Sequence, residues 1–391
     1  MFKNVTISSE CVTNCHPDKM ADRIADAILD EYVKKDEDAR TGIEVMVKDN
    51  VVVLGGEVHS NAIVDCEDVV KKMYHHWFNF PKNHNLEPEN LKIVNLIGRQ
   101  SQEIHSGVDK IGGEIGAGDQ GFVVGFATSE TPTYMPLGHY FASQICRWIE
   151  KHSSAVGPDA KSQVVVEYDS EGNAEIKHIL VSTMNPNDSL EVLRHEITRL
   201  IRNGDMFTDK PMYEKYIRGK EFTILVNPCG DWKIGGPISD CGVTGRKIVV
   251  DQYGGYCNVG GGAFSGKDLS KVDRSAAYAA RYIAKSIVAA GIADVAKVEM
   301  TYAIGEPAPV AINIILDRNQ DKVEAIKQRI EERFPIKVAD IIKAFKTVNG
   351  YFKELSGSSH FGKLTFDRTL TNCSYPWENE LDGKKLLEGI L

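Results

Sequence analysis

The sequence predicts an α+β protein of α/β layers, with helices packed on one face of mixed, antiparallel-rich sheets. Three observations lead there. Strand-like and helix-like segments follow one another as hairpin, helix, hairpin, helix, without the regular βαβ order of a parallel sheet. That scheme recurs about three times along 391 residues, a length that suits two or three domains. No low-complexity linker divides the chain, so domains assembled from discontinuous segments are expected.

Residues 43–47 (IEVMV) and 51–54 (VVVL) flank Asp49-Asn50, a hairpin signal. A second hairpin joins 161–168 to 174–184. Segments 222–228, 246–253, 297–305 and 310–316 also read as strands. In 18–35 the apolar positions Met20, Ile24, Ile28, Leu29, Tyr32 and Val33 mark one helical face. Pro17 suits the first helical position, and Asp18 and Asp22 suit the positive end of the helix. Further helices are expected near 62–78, 138–152, 189–202, 275–290, 322–334 and 338–345.

A net charge of −9 argues against general nucleic-acid binding and leaves local basic clusters for a small anionic ligand. No apolar run reaches the length of a membrane span, and the first residues, MFKNVTISSECV, lack a signal peptide's apolar stretch. A cytoplasmic protein is expected. The eight cysteines form no C-x-x-C, so they read as small core or site-lining residues.

The most informative stretch is 260–291, where a glycine loop runs through Lys267, Lys271 and Arg274 into an alanine-rich helix. Glycine admits an anion to the backbone, and a helix N-terminus adds a favourable dipole. Gly261, Gly266 and Lys267 nearly complete a P-loop, but Asp268 stands where a Ser or Thr belongs. The plain alternative is a glycine turn entering an amphipathic helix.

Four smaller clusters accompany it. His16, Asp18 and Lys19 sit at a helix start, as ligand groups or as an ordinary acidic entry. Glu57 follows two glycines at a strand end, where a turn carboxylate is the plain reading. Asp119, between glycines, marks either a tight turn or a ligand contact. Asp240 precedes Arg246 and Lys247 at an expected strand start, where neighbours point to opposite faces unless a ligand wraps the strand end. His75 and His76 have no metal-site spacing, and Trp148 and Trp377 read as packing residues.

Together these motifs resemble those of S-adenosylmethionine synthetases: HPDK at 16–19, GAGDQG at 116–121, DAKSQV at 159–164, GGP…DCG…TGRKIVVD from 235, and GGGAFSGKD…SKVDRSAAYAARYIAK. HFG at 360–362 and PWE at 376–378 carry the resemblance to the C-terminal region. It implies three similar domains around a pseudo-threefold axis: 1–14 with 131–235, 15–103 with 236–273, and 104–130 with 274–391. It also implies a dimer with shared active sites, and pairing of dimers into tetramers.

The implied reaction is attack of the methionine sulfur on C5′ of ATP, departure of triphosphate, and its hydrolysis to pyrophosphate and phosphate. A thioether carries no proton, so the first step requires alignment and charge management rather than a base. The resemblance assigns His16, Lys161, Arg246, Lys247 and Lys267 to catalysis. It assigns Asp119, Asp159, Trp232, Asp240 and Ala263, with those five, to ATP. Glu57, Gln100, Asp240 and Lys271 would contact methionine. Asp18 and Asp273 would each hold a Mg²⁺, Glu44 would hold a K⁺, and 100–113 would form a gating loop hinged at Gly107, Gly112 and Gly113. Two departures stand out: Asn14-Cys15 replaces Glu-Gly before HPDK, and Asp231-Trp232 replaces Arg-Phe. Alternatives are an ATP-dependent kinase or ligase, against which Asp268 speaks, and a non-catalytic relative, which would be expected to lose site charges kept here.

Overall fold

The computed structural model describes residues 2–78, 88–99, 115–185, 189–363, 375–379, 384–385 and 387–390. In chain order the strands are β1 (Val5–Val12), β2 (Arg40–Lys48), β3 (Val51–His59), β4 (Lys92–Asn95), β5 (Gly98–Arg99), β6 (Gly121–Thr128), β7 (Ala160–Tyr168), β8 (Ala174–Thr183), β9 (Thr223–Val226), β10 (Gly242–Val243), β11 (Val295–Tyr302) and β12 (Ala311–Leu316). The helices are α1 (Pro17–Lys35), α2 (Cys66–Phe78), α3 (Leu137–Lys151), α4 (Ser153–Val156), α5 (Leu190–Asn203), α6 (Lys210–Tyr216), α7 (Ile248–Asp251), α8 (Val272–Ala289), α9 (Val323–Arg333), α10 (Val338–Phe345) and α11 (Phe352–Leu355).

These strands form three mixed or antiparallel sheets. The first runs β1-β7-β8-β9, with β8 and β9 parallel. The second runs β10-β2-β3-β4, with β5 also beside β3, and here β4 and β5 lie parallel to β3. The third, β12-β11-β6, is antiparallel throughout. Helix α3 packs on β1 and β7, α1 on β2 and β10, and α8 on β6 and β11. The α1 layer, with β2, β3 and α2, has its own apolar core, and the other two sheets share a second. Both expected hairpins form.

Helix α1 sits at the centre. His16 caps it, with Nδ1 accepting the Asp18 N–H at 3.2 Å, and Pro17 opens it. Met20, Ile24 and Ile28 are fully buried on its apolar face. Asp18, Asp22, Asp26 and Asp30 repeat at every fourth position, so they stack along another face. All four are at most 2% exposed. Each accepts backbone N–H groups from a crossing segment: Asp18 and Asp22 from one, at Val243 (2.9 Å) and Gly245 (2.9 Å), Asp26 from a second at Gly266 (2.8 Å), and Asp30 from a third at Phe352 and Lys353 (2.7 and 3.1 Å). The ladder therefore anchors three loops of the chain onto one helix.

It also explains a difference from the sequence reading. The segment 246–253 was expected to be a strand because Ile248, Val249 and Val250 are β-branched. Instead β10 ends at Val243, a turn follows, and Ile248–Asp251 is helical. Asp18 and Asp22 capture the Val243 and Gly245 N–H groups and draw the chain off the sheet edge. The short helix α6 was also not anticipated, although Asp209 caps it by accepting the Met212 N–H at 3.1 Å. Among the described residues no helix is long and apolar enough to cross a membrane.

Burial raises the Asp30 carboxyl to about 7, with its two N–H partners opposing the shift. A raised folded-state value means the neutral form favours folding. That contribution is full below the unfolded value of about 3.9 and is lost as pH rises towards 7. Chemical denaturation at pH 4.5 and 7.5 should show the wild type losing more stability with rising pH than Asp30→Asn. Parallel pH dependences would show that Asp30 is ionised throughout.

Candidate active site

One cluster gathers at the start of α1. Asp18 Oδ2 accepts the Lys247 ammonium at 2.6 Å, and Arg246 Nη1 lies 3.8 Å from Oδ1. Arg246 and Lys247 thus converge because they lie on a turn, not on the opposite faces of a strand. Burial works to raise the Asp18 carboxyl, but Lys247, the Val243 N–H and His16 bring it below the usual carboxylate value. Burial, with Lys247, Lys161 and Lys19 nearby, depresses His16 to about 3, so its imidazole is neutral at pH 7. Lys161 is exposed on β7, opposite Val12.

Asp159 lies beneath Lys161. Its Oδ2 accepts the Gly236 N–H at 2.7 Å, while Oδ1 is buried with no hydrogen-bond partner. Burial raises this carboxyl to about 7 against the pull of Gly236 and Lys161, and Asp240 adds to the rise. Asp240 itself is exposed. Trp232 is half-buried, its indole N–H donating to the Ile234 carbonyl at 2.6 Å.

A second cluster forms on the glycine loop. Lys267 Nζ pairs with Asp273 at 2.7 Å. Gly266 has φ +81°, and a side chain there would overlap the Ile43 carbonyl. Its N–H is already taken by Asp26. The near-P-loop reading therefore fails on geometry as well as on Asp268. That aspartate instead binds the chain to itself, accepting Thr41 N (2.8 Å), Ser270 N (2.8 Å) and Lys271 Nζ (2.6 Å). Lys271, expected at methionine, is thus tied to Asp268. Asp119 and Asp273 line an open cleft of about 670 Å³ with Gly121, Gly261 and Gly262. A side chain at Gly262 would collide with the Asp273 carboxylate, so close approach there requires glycine. Ala263 faces Gly245, which joins the two loops.

Glu44 and Glu57 share the outer face of the second sheet. In the β2–β3 register Gly42 pairs with Glu57, Glu44 with Gly55 and Met46 with Val53, and Val53 in turn pairs with Val94. Met46 and Val94 are exposed on this face. Burial raises the Glu44 carboxyl, opposed by Lys267. Lys267 reaches the same strand through a backbone bridge to Gly42. Gln100 and the loop 100–113, like Cys373, lie outside the described residues. Trp377 is buried against Tyr278, ring centroids 4.0 Å apart, and Trp148 stacks on His152.

Sequence reasoning took Asp22 only as a helix-start acid, Arg274 only as part of a basic row, and Asp251, Tyr278 and His360 only as motif positions; it gave Asp26 no part and none of the six its role as a support of these clusters. The fourfold spacing of the α1 aspartates was the available signal, because four acids stacked on one buried helix face repel one another and require partners from elsewhere.

In both clusters a lysine neutralises a carboxylate, Lys247 with Asp18 and Lys267 with Asp273. Polyphosphate oxygens can take the lysines, and a hard cation can take Asp18 and Asp273. Among the described residues no three His, Cys, Asp or Glu side chains gather into a protein-only cage. Single carboxylates completed by phosphate oxygens and water are the pattern that suits Mg²⁺. Fold and clusters together define a class: three-sheet α+β proteins whose loops carry lysine–aspartate pairs for a polyanion.

Comparison with known proteins narrows the class. Family models for the N-terminal, central and C-terminal domains of S-adenosylmethionine synthetase match residues 4–102, 114–232 and 234–378. An S-adenosylmethionine synthase of Finegoldia magna is 37% identical over 389 residues, 95% of this chain and 97% of that protein. A solved structure described as an unusual S-adenosylmethionine synthetase from Campylobacter jejuni superposes with a TM-score of 0.84 at 30% identity, covering 98% of this chain and 100% of that one. The chain belongs to the S-adenosylmethionine synthetase family, the methionine adenosyltransferases, and the three-domain α/β architecture is the family's. Membership also brings a metal requirement.

Cys15 is buried next to this site, its thiol raised by burial and by Asp159 and Glu150. Cys15→Gly should leave the fold intact and change ATP affinity, by about tenfold or more if the thiol crowds the nucleotide. An unchanged ATP dissociation constant would mean that the thiol does not crowd the nucleotide.

Proposed function

We propose that the two lysine–aspartate clusters receive the triphosphate of ATP while methionine attacks C5′. The sulfur–carbon bond forms, the C5′–oxygen bond breaks, and its electrons leave with the triphosphate. Hydrolysis of triphosphate to pyrophosphate and phosphate follows in the same site. The observation that carries this reading is the pairing of Lys247 with Asp18 and of Lys267 with Asp273, both on loops fixed to α1.

Lys161, Arg246, Lys247 and Lys267 offset the charge that accumulates on the leaving group. Neutral His16 hydrogen-bonds the leaving oxygen or a nearby phosphate. Asp119, Asp159, Trp232, Asp240 and Ala263 hold the nucleotide, with Trp232 as the flat surface for adenine. Glu57, Gln100, Asp240 and Lys271 hold methionine, Lys271 exchanging its Asp268 partner for the ligand. Asp18 and Asp273 would each hold a Mg²⁺ and Glu44 a K⁺, which would supply further neutralisation of the triphosphate charge.

The domains are taken as 1–14 with 131–235, 15–103 with 236–273, and 104–130 with 274–391. Support comes from the sheets, each of which draws all its strands from one of these sets. The reaction is assigned to the cytoplasm. Two chains associate through the outer face of the second sheet, share their active sites, and pair again into tetramers. The exposed Met46 and Val94 beside Glu44 and Glu57 support that face.

With ATP, methionine, Mg²⁺ and K⁺, the purified protein should release S-adenosylmethionine, pyrophosphate and phosphate. Release of ADP would point to a phosphotransferase instead. Lys267→Ala should lower turnover on the order of 100- to 1000-fold while changing methionine binding far less. Equal losses in both would indicate a structural role. Met46→Glu should shift sedimentation to a smaller species and lower activity with it. Unaltered sedimentation would exclude this face as the contact.

A further inference from the structure

Two buried hydrogen-bonded chains lie behind the two cation-bearing loops and approach each other at His360 and Asp251. At one end Asp22 accepts the Gly245 N–H at 2.9 Å and the Lys19 ammonium at 3.0 Å. Lys19 also donates to Asp251 Oδ1 at 2.5 Å. At the other end Asp26 accepts the Gly266 N–H and both terminal nitrogens of Arg274, at 2.7 and 2.8 Å. Arg274 Nη1 donates in addition to the Lys267 carbonyl at 3.0 Å. Its Nε donates to the Tyr278 hydroxyl at 2.9 Å.

From there the protons can be followed one by one. Arginine has no acceptor, so the single Tyr278 proton points to His360 Nδ1, 2.7 Å away. His360 therefore carries its own proton on Nε2. Burial, with Lys19, Arg274 and Lys363 around it, holds the imidazole well below its usual value and keeps it neutral. Nε2 is buried without a hydrogen-bond partner. Asp251 Oδ1 lies 3.9 Å from it. The His360 main chain is anchored to the same residue, its N–H donating to the Asp251 carbonyl at 2.9 Å. Lys19, Asp22, Asp26, Asp251, Arg274, Tyr278 and His360 are all at most 2% exposed.

A histidine kept for packing alone could be replaced by an apolar ring, which would leave no lone donor in the core. The donor and carboxylate, about 1 Å beyond hydrogen-bond length, suit a contact that closes when either loop moves inward. We propose that His360 is a positioning residue: closing its Nε2–H onto Asp251 couples the Lys267 loop to the Arg246–Lys247 loop, so that a polyphosphate seated on one orders the other. The inference rests on the assignment of both loops to the triphosphate. It gives the HFG motif a role that direct ligand contact would not.

The test uses full-length protein with inorganic triphosphate and Mg²⁺, read by calorimetry beside turnover, methionine KM and thermal melting. His360→Phe and Tyr278→Phe keep ring shape and remove links of the chain. Each should weaken triphosphate about tenfold, and the double variant should lose little more than either single one. Methionine KM should stay within about twofold. Additive losses, equal losses for methionine and triphosphate, or unchanged triphosphate binding would overturn the coupling. If His360→Phe does not fold, Tyr278→Phe decides alone, and unchanged triphosphate binding there is the overturning result. Failure of the wild type to bind triphosphate would instead overturn the assignment of the loops themselves.

Discussion

The aspartate ladder of α1 is the constraint on which the rest depends. Four carboxylates stacked along one buried helix face each hold the backbone of a segment distant in sequence. A buried carboxylate is tolerable only where hydrogen bonds or cations replace its water. The packed helix therefore depends on the 242–247, 264–268 and 352–353 segments for its partners. Two of those segments bear Arg246, Lys247 and Lys267. The same bonds that satisfy the helix thus set the spacing between the two cationic loops.

Self-neutralisation is the second consequence. A protein that concentrates lysines and arginine on neighbouring loops must tolerate their mutual repulsion. Asp18 and Asp273 relieve it locally, and Asp268 does the same for Lys271. These pairs are only partly buried on the lysine side, with the lysine side chains 15–23% exposed. Exchange for phosphate oxygens therefore requires side-chain movement rather than unfolding. The buried Arg274–Asp26 pair behind them is fully enclosed and has no such freedom. The site thus divides into exchangeable pairs in front and fixed pairs behind.

Much of this was legible in the residue order. Hairpins at 43–54 and 161–184 and seven helical segments were readable from periodicity and turn residues, because those signals are local. Asp18, Arg246, Lys247 and Lys267 were recognisable through their motifs. The strand expected at 246–253 failed because local β-propensity was overridden by two N–H groups committed to α1. Lys271 appeared free for a ligand because its Asp268 partner reads as a broken P-loop rather than as an anchor. His360 and Tyr278 stood within recognised motifs, but their hydrogen bond to each other gave no signal, since 82 residues separate its two halves.

The sequence by itself determined the layered α+β class, the kinds of charged groups at the site and the family resemblance. Each of these follows from residue type and short-range spacing. Only the tertiary structure decided which carboxylate neutralises which cation, that Asp159 keeps an unpaired buried oxygen, and that Glu44 and Glu57 share an uncovered face. Those outcomes depend on burial and on contacts between segments hundreds of residues apart. Electrostatic partners in a low-dielectric interior are chosen by proximity in space, which no local pattern encodes.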